Sequence, residues 1–203
     1  MFVIPPYVRF ALIAVSIIGG ALLWAFAGFW YGFPFLLAGL ILFLGYVFLG
    51  TVAPAAKRAQ VQDMDGAERM LNLTLKPEWL YSANRAFYYM LRGSIALSRR
   101  DLTAGEQWLK KAEDIDIPTP NERAMLHLQL AQIEANRKNF NAAKQYLKKA
   151  KEANVKIPQI REQIDMLETA LKQSGQVKAA QRMGRQGHQM MNRGGKRRRP
   201  KSR

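Results

Sequence analysis

The 203-residue chain has no cysteine, only two histidines, and no acidic residue at either of its ends. Without cysteine there is no disulfide, no thiolate metal site and no cysteine nucleophile, although the compartment stays open. With only His127 and His188, set far apart, neither a His-rich metal cluster nor a serine–histidine–aspartate triad can be assembled. The missing acids are regional. Residues 1–60 hold three cations (Arg9, Lys57, Arg58) and residues 174–203 hold ten, while all 15 acidic residues fall between. The two flanks therefore carry +13 of the net +16 and the middle only +3. That middle, about 110 residues, is long enough for one domain with its own core.

What the first third does have is two long apolar runs, Val8 to Phe26 and Phe33 to Val52, in which Arg9 is the one charged side chain. Each is about 20 residues, which at roughly 1.5 Å per helical residue spans the ~30 Å of a bilayer's hydrocarbon. The expectation is a membrane hairpin over 1–55, with crossings at about 8–27 and 33–53. Between the runs, Gly28-Phe29-Trp30-Tyr31-Gly32-Phe33-Pro34 combines turn-forming residues with four aromatics suited to the membrane interface. The turn is uncharged, whereas Arg9, Lys57 and Arg58 lie on the other side. The positive-inside rule then puts both termini in the cytoplasm and makes the chain a multi-pass protein of the inner (cytoplasmic) membrane. Ala25-Phe26-Ala27 also fits a signal-peptide cleavage pattern. Cleavage there would leave the second run as an anchor with the same orientation.

Within the middle, Asp101-Leu102-Thr103-Ala104-Gly105-Glu106-Gln107-Trp108-Leu109-Lys110-Lys111-Ala112 realigns at a shift of 38 with Asn139-Phe140-Asn141-Ala142-Ala143-Lys144-Gln145-Tyr146-Leu147-Lys148-Lys149-Ala150. A helix-length segment precedes each block (84–98 and 122–138), so the unit reads as helix, turn, helix, and the period as a helical solenoid. Weaker echoes at Met64 and Ala67, and at Gly175, Val177 and Ala180, extend the pattern to about 56–190. The unit resembles the tetratricopeptide repeat. Leu130, Ala131, Phe140, Ala143, Ala150 and Pro158 stand near that family's marker positions in the copy at about 121–158, and Gly93, Leu102, Gly105, Ala112 and Pro118 in the copy at about 84–120. Departures are Tyr89 and His127 at the family's tryptophan position and a period of 38 rather than about 34. The fold class expected is all-α: a transmembrane hairpin, a tetratricopeptide-like α-solenoid and a basic tail.

The resemblance implies a groove that binds peptide or protein segments, lined by the first helix of each repeat. Carried over, its positions are Phe87, Met90, Ser94 and Leu97, then Met125, Leu128, Gln132 and Ala135, a neutral to apolar surface without the cations of a carboxylate clamp. The tail offers a second interaction element. Glycines interrupt it, it has no apolar core to offset ordering, and over 191–203 it is expected to be disordered. Its cations Arg193, Lys196, Arg197, Arg198, Arg199, Lys201 and Arg203 suit a polyanion, either anionic lipid headgroups or ribosomal or other RNA.

Nothing in the sequence assembles a reaction centre or implies a cofactor. There is no phosphate-binding glycine loop and no Gly-x-Ser-x-Gly. Asp63-Met64-Asp65-Gly66 resembles the start of a calcium loop but lacks its later ligands and reads as a capped helix start. Glu113, Asp114 and Asp116 follow Lys110 and Lys111 closely enough for charge pairing, and His127 reads as a packing residue. The function expected is a non-enzymatic adaptor, bound to membrane lipids through the hairpin and to a protein partner through the repeats, with a ribosome or RNA tether as the alternative.

Overall fold

The structure is a computed structural model and describes residues 6–115 and 117–174. Among these residues all regular structure is helical: α1 (Pro6–Ala27), α2 (Phe29–Leu49), α3 (Val52–Gln60), α4 (Met64–Asn72), a 3-10 turn at Pro77–Trp79, α5 (Ser82–Ser98), α6 (Leu102–Glu113), α7 (Pro120–Asn136) and α8 (Phe140–Glu152). A further helix, α9, covers 158–174. The tail cations from Arg193 to Arg203, together with Asp116, lie outside the described residues.

Helices α1 and α2 are both long and apolar enough to cross a membrane, and most of their surface is uncovered by the rest of the protein. They reverse through Gly28 alone, whose φ of 95° is open only to glycine at little cost. The reversal is therefore shorter than the Gly28–Pro34 segment suggests. α2 starts four residues before the expected Phe33, carries Pro34 inside it, and stops at Leu49 instead of reaching Val52. The two helices approach closely because glycines face their contacts. A methyl group on Gly20 would sit 2.9 Å from Leu36, one on Gly39 would sit 2.8 Å from Ile17, and one on Gly32 would strike the Gly20 carbonyl oxygen. Trp24, Phe29 and Phe33 stack edgewise or tilted at the turn end.

At the other end the hairpin is fastened to the remaining helices without a free linker. The Tyr46 hydroxyl donates to the Leu73 carbonyl, and the buried Thr51 hydroxyl to the Met70 carbonyl, with Thr74 Oγ1 2.9 Å away. The Tyr81 N–H donates to the Phe48 carbonyl at 2.9 Å, and Asn84 Nδ2 to the Leu49 carbonyl at 3.1 Å. Gly50 carries the chain through at φ 62°, where a Cβ would lie 2.6 Å from Leu80.

The helices after Gly50 form pairs, α3–α4, α5–α6 and α7–α8, whose turns superimpose in sequence at intervals of 38. Gln62, Arg100 and Lys138 are all left-handed, at φ 64°, 64° and 62°. Each donates to the carbonyl three residues back (Ala59, Leu97, Ala135), and the next N–H (Asp63, Asp101, Asn139) reaches the carbonyl five back (Arg58, Ala96, Glu134). This is a Schellman C-cap. Its last residue is at once the N-cap of the second helix. Asp101 accepts from the N–H groups of Thr103 and Ala104, and Asp63 from that of Gly66. Three residues between helices thus suffice to reverse the chain.

The helices of each pair cross on small residues, again 38 apart: Ala55, Gly93 and Ala131 on the first helices, and Ala67, Gly105 and Ala143 on the second. A Cβ on Gly93 would lie 2.7 Å from Leu109, and one on Gly105 2.8 Å from Leu97. Leu71, Leu109 and Leu147 are buried at matching places. The core runs as three successive clusters, one around α3–α5, one around α5–α7 and one joining α7, α8 and α9. Ion pairs cross from pair to pair on the same schedule. Arg99 meets Glu68 at 2.5 Å and Asp65 at 2.8 Å, and Arg137 meets Glu106. Lys144 stands where the next glutamate would fall, so that series stops at α8.

Candidate functional site

Because α3, α5 and α7 are the first helices of their pairs, they line up side by side, and their free faces border a cleft of about 550 Å³ that the start of α9 closes. α3 contributes Ala56, Ala59 and Gln60; α5 contributes Phe87, Met90, Leu91 and Ser94. α7 adds Asn121, Glu122, Met125 and Gln129, and Ile157 and Ile160 form the far wall. The lining is apolar with a few polar groups, the composition of a site that recognises another molecule by shape and a small number of directed contacts.

Of the eight groove residues expected from sequence, four line this cleft: Phe87, Met90, Ser94 and Met125. The other four do not. Leu128 is 1% exposed, held in the cluster between α7, α8 and α9. Leu97 and Ala135 pack beneath their own helix pairs, where each supplies a capping carbonyl, and Gln132 faces solvent away from the cleft. The reason is that α7 lies between neighbours on two sides. It buries Ala124, Leu126, His127, Leu128, Leu130, Ala131 and Ile133, so an apolar position on it is as often core as groove. Sequence reasoning missed Glu122, Gln129, Ile157 and Ile160. The signal available was polar residues recurring on the face opened by Met125, at one-turn spacing.

Two acceptors in this wall have no hydrogen-bond partner among the described residues. Gln129 Nε2 donates to the Ser94 hydroxyl at 2.9 Å, which itself donates to the Met90 carbonyl at 3.0 Å, and this leaves Gln129 Oε1 buried and unbonded. Glu122 Oε2 is likewise buried without a hydrogen bond. Each unmet acceptor costs about 1–3 kcal/mol, a loss that an incoming donor would remove. Asn121 is already engaged, accepting from the Lys156 N–H at 2.9 Å.

The remaining polar groupings are structural. His127 is buried, stacked on Tyr146 with ring centres 6.3 Å apart, and its Nδ1 lies 3.8 Å from Glu113 without a hydrogen bond. Burial pushes its imidazole below the ordinary value, with the Glu113 charge opposing and Lys149 and Arg123 reinforcing. Glu113 pairs with Lys149 of α8 at 2.9 Å, not with Lys110, which turns to Glu106 at 2.6 Å. Asp63 caps α4 and pairs with Arg58 at 2.8 Å, which holds its carboxyl below the usual range. Among the described residues no group of acidic and histidine side chains could hold a metal ion. A larger depression of about 660 Å³ lies along α9, but among the described residues that helix alone lines it, and it brings no two elements together. Comparison with family models, with curated proteins and with solved structures finds no match to this chain.

Proposed function

We propose that the chain is a membrane-anchored adaptor: α1 and α2 span the inner membrane with both termini in the cytoplasm, and a tetratricopeptide-like stack holds its cleft open to a protein partner. The observation that carries this reading is the direct fastening of the last turn of α2 to α4 and α5, by hydrogen bonds from Tyr46, Thr51, Tyr81 and Asn84, in a molecule whose first helices converge on one apolar cleft. An anchor so joined holds a binding surface at a fixed height above the bilayer. The partner's chemistry follows from the lining: an apolar segment to fill the space between Phe87, Met90, Met125 and Ile160, with hydrogen-bond donors or a cation directed at Glu122 Oε2 and Gln129 Oε1. The close glycine packing of α1 on α2 favours a retained first helix over a cleaved signal peptide.

The test is crosslinking in intact membranes from a photoreactive residue at position 60, in place of the exposed cleft residue Gln60, read by mass spectrometry. Met125→Arg, placed at a partly exposed cleft position, should abolish the adducts while leaving helicity unchanged. Identical adducts from the Arg variant would refute the adaptor reading. A second reading, a tether for ribosomes or RNA, is supported by ten tail cations with no acid among them. It predicts salt-dependent co-sedimentation with ribosomes that disappears on removing 193–203.

A further inference from the structure

The period of 38 breaks at one junction. Counting back from the end of α6, α4 would reach residue 75, yet it stops at Asn72, and residues 73–81 form the connection to α5. Between α6 and α7 the connection is 114–119, and between α8 and α9 it is 153–157. Side chains change character with length. Ile117 and Val155, at equivalent positions, are buried. Their counterpart here is Trp79, 51% exposed, while Leu80 next to it takes over the inward place against Gly50. Leu75 stands where the other junctions carry the ion-paired Glu113 and Lys151, and it is 58% exposed; Tyr81 is 64% exposed. Lys76 lies over the Trp79 ring, its Nζ 4.9 Å from the centroid.

The height of this loop is fixed by the hairpin. Tyr81 and Asn84 hydrogen-bond to the carbonyls of Phe48 and Leu49, and Tyr46 to the carbonyl of Leu73, so both ends of the loop that carries Leu75, Trp79 and Tyr81 are tied to the last turn of α2. Tryptophan and tyrosine with an adjacent lysine are the side chains that gain most at the boundary between hydrocarbon and headgroups, where the rings are half desolvated and the cation meets phosphate. We infer that residues 73–81 form an interfacial anchor, in which Leu75, Trp79 and Tyr81 enter the headgroup layer of the bilayer that α1 and α2 span and Lys76 meets lipid phosphate. The inference rests on the membrane reading. It adds a third point of attachment, which stops the helix stack from rocking on α2 and fixes which way the cleft faces.

The cysteine-free chain allows single cysteines at 75, 79 and 81, with Ile41→Cys in mid-α2 and Gln132→Cys on the solvent face of α7 as references, each labelled with an environment-sensitive fluorophore. The full-length protein is reconstituted in vesicles of phosphatidylcholine and phosphatidylglycerol carrying nitroxides either on the headgroup or deep in the acyl chain. Labels at 75, 79 and 81 should lose most of their emission to the headgroup quencher, while the label at 132 keeps its own. If position 41 is quenched by the acyl nitroxide and 75, 79 and 81 respond no more than 132, the interfacial anchor is wrong and the hairpin stands. An unquenched position 41 would remove the membrane reading and this inference with it.

Discussion

The pairs α1–α2 and α5–α6 solve one steric problem with opposite outer faces. Each brings two antiparallel helices together on small residues, Gly20, Gly32 and Gly39 in the first, Gly93 and Gly105 in the second. Around those contacts the chemistry inverts. α6 turns Leu109 and Ala112 inward and Lys110 and Lys111 outward, whereas the hairpin turns Trp24, Phe26, Trp30, Phe35, Leu40 and Ile41 outward. Each such side chain gains about 1.5–3 kcal/mol on leaving water, and the outward apolar surface of the hairpin exceeds the patches that soluble monomers ordinarily expose. Small residues set how close two helices come, and the outward residues set which solvent each pair favours.

A carboxylate placed in each region tests the inversion most severely. Leu128→Asp puts a charge into the core between α7 and α9, at a cost of several kcal/mol, comparable to the whole stability of a domain this size. The helices after Gly50 should lose their cooperative thermal transition by circular dichroism. Ile41→Asp, on an outward position of α2, would be harmless on a water-exposed helix. In a bilayer it costs about 3 kcal/mol of insertion. A smaller fraction of the variant should then survive alkaline extraction with the membranes, and unchanged retention would erase the contrast between the two regions.

The difference between regions also governs what the sequence could tell. The period of 38 was legible because Asp101–Ala112 and Asn139–Ala150 share the residues that a close crossing and a capped turn demand. The left-handed Gln62, Arg100 and Lys138 were not, since no glycine marks them; a Schellman bond pair holds an ordinary residue there. In the hairpin, glycine, proline and aromatics were read as one long turn. Gly28 reverses the chain by itself, and the other residues belong to α2, which holds Pro34 within its first two turns. The cleft was half legible: Phe87 and Met125 lie on faces open to it, while Leu128 sits on a helix apolar nearly all round, where spacing does not say which side meets a neighbour. Trp79 and Tyr81 went unread because their meaning depends on the level of the end of α2.

Capping contributes less than burial and separates the pairs from one another. Asp101 accepts two backbone N–H bonds at the start of α6, while Asn139 makes no side-chain cap at α8 and instead donates to Glu134 at 2.7 Å. Asp101→Ala should therefore cost about 1 kcal/mol and Asn139→Ala less, measured as the fall in melting temperature of the helical domain in the full-length chain. Equal losses would mean that the two turns, alike in backbone, are alike in energy as well.

The smallest effect is a proton on one imidazole, and it belongs to the helical domain alone, because the hairpin has no group that titrates between pH 4 and 7. His127 has its affinity for protons lowered by burial, so on acidification the unfolded chain takes up a proton first, beginning near its ordinary value of 6.5. Stability is complete above that value and declines as pH falls toward the depressed value of the folded state. Asp63, Glu106 and Glu168, each held below its ordinary value by hydrogen bonds from cationic partners, contribute in a lower window. Their share is present above the ordinary 3.8 or 4.5 and is lost as pH drops through the depressed values. His127→Gln should flatten the melting temperature between pH 7 and 5 and leave the acid limb below 4.5 in place. If the slope between pH 7 and 5 survives the substitution, some group other than this buried ring is taking up the proton.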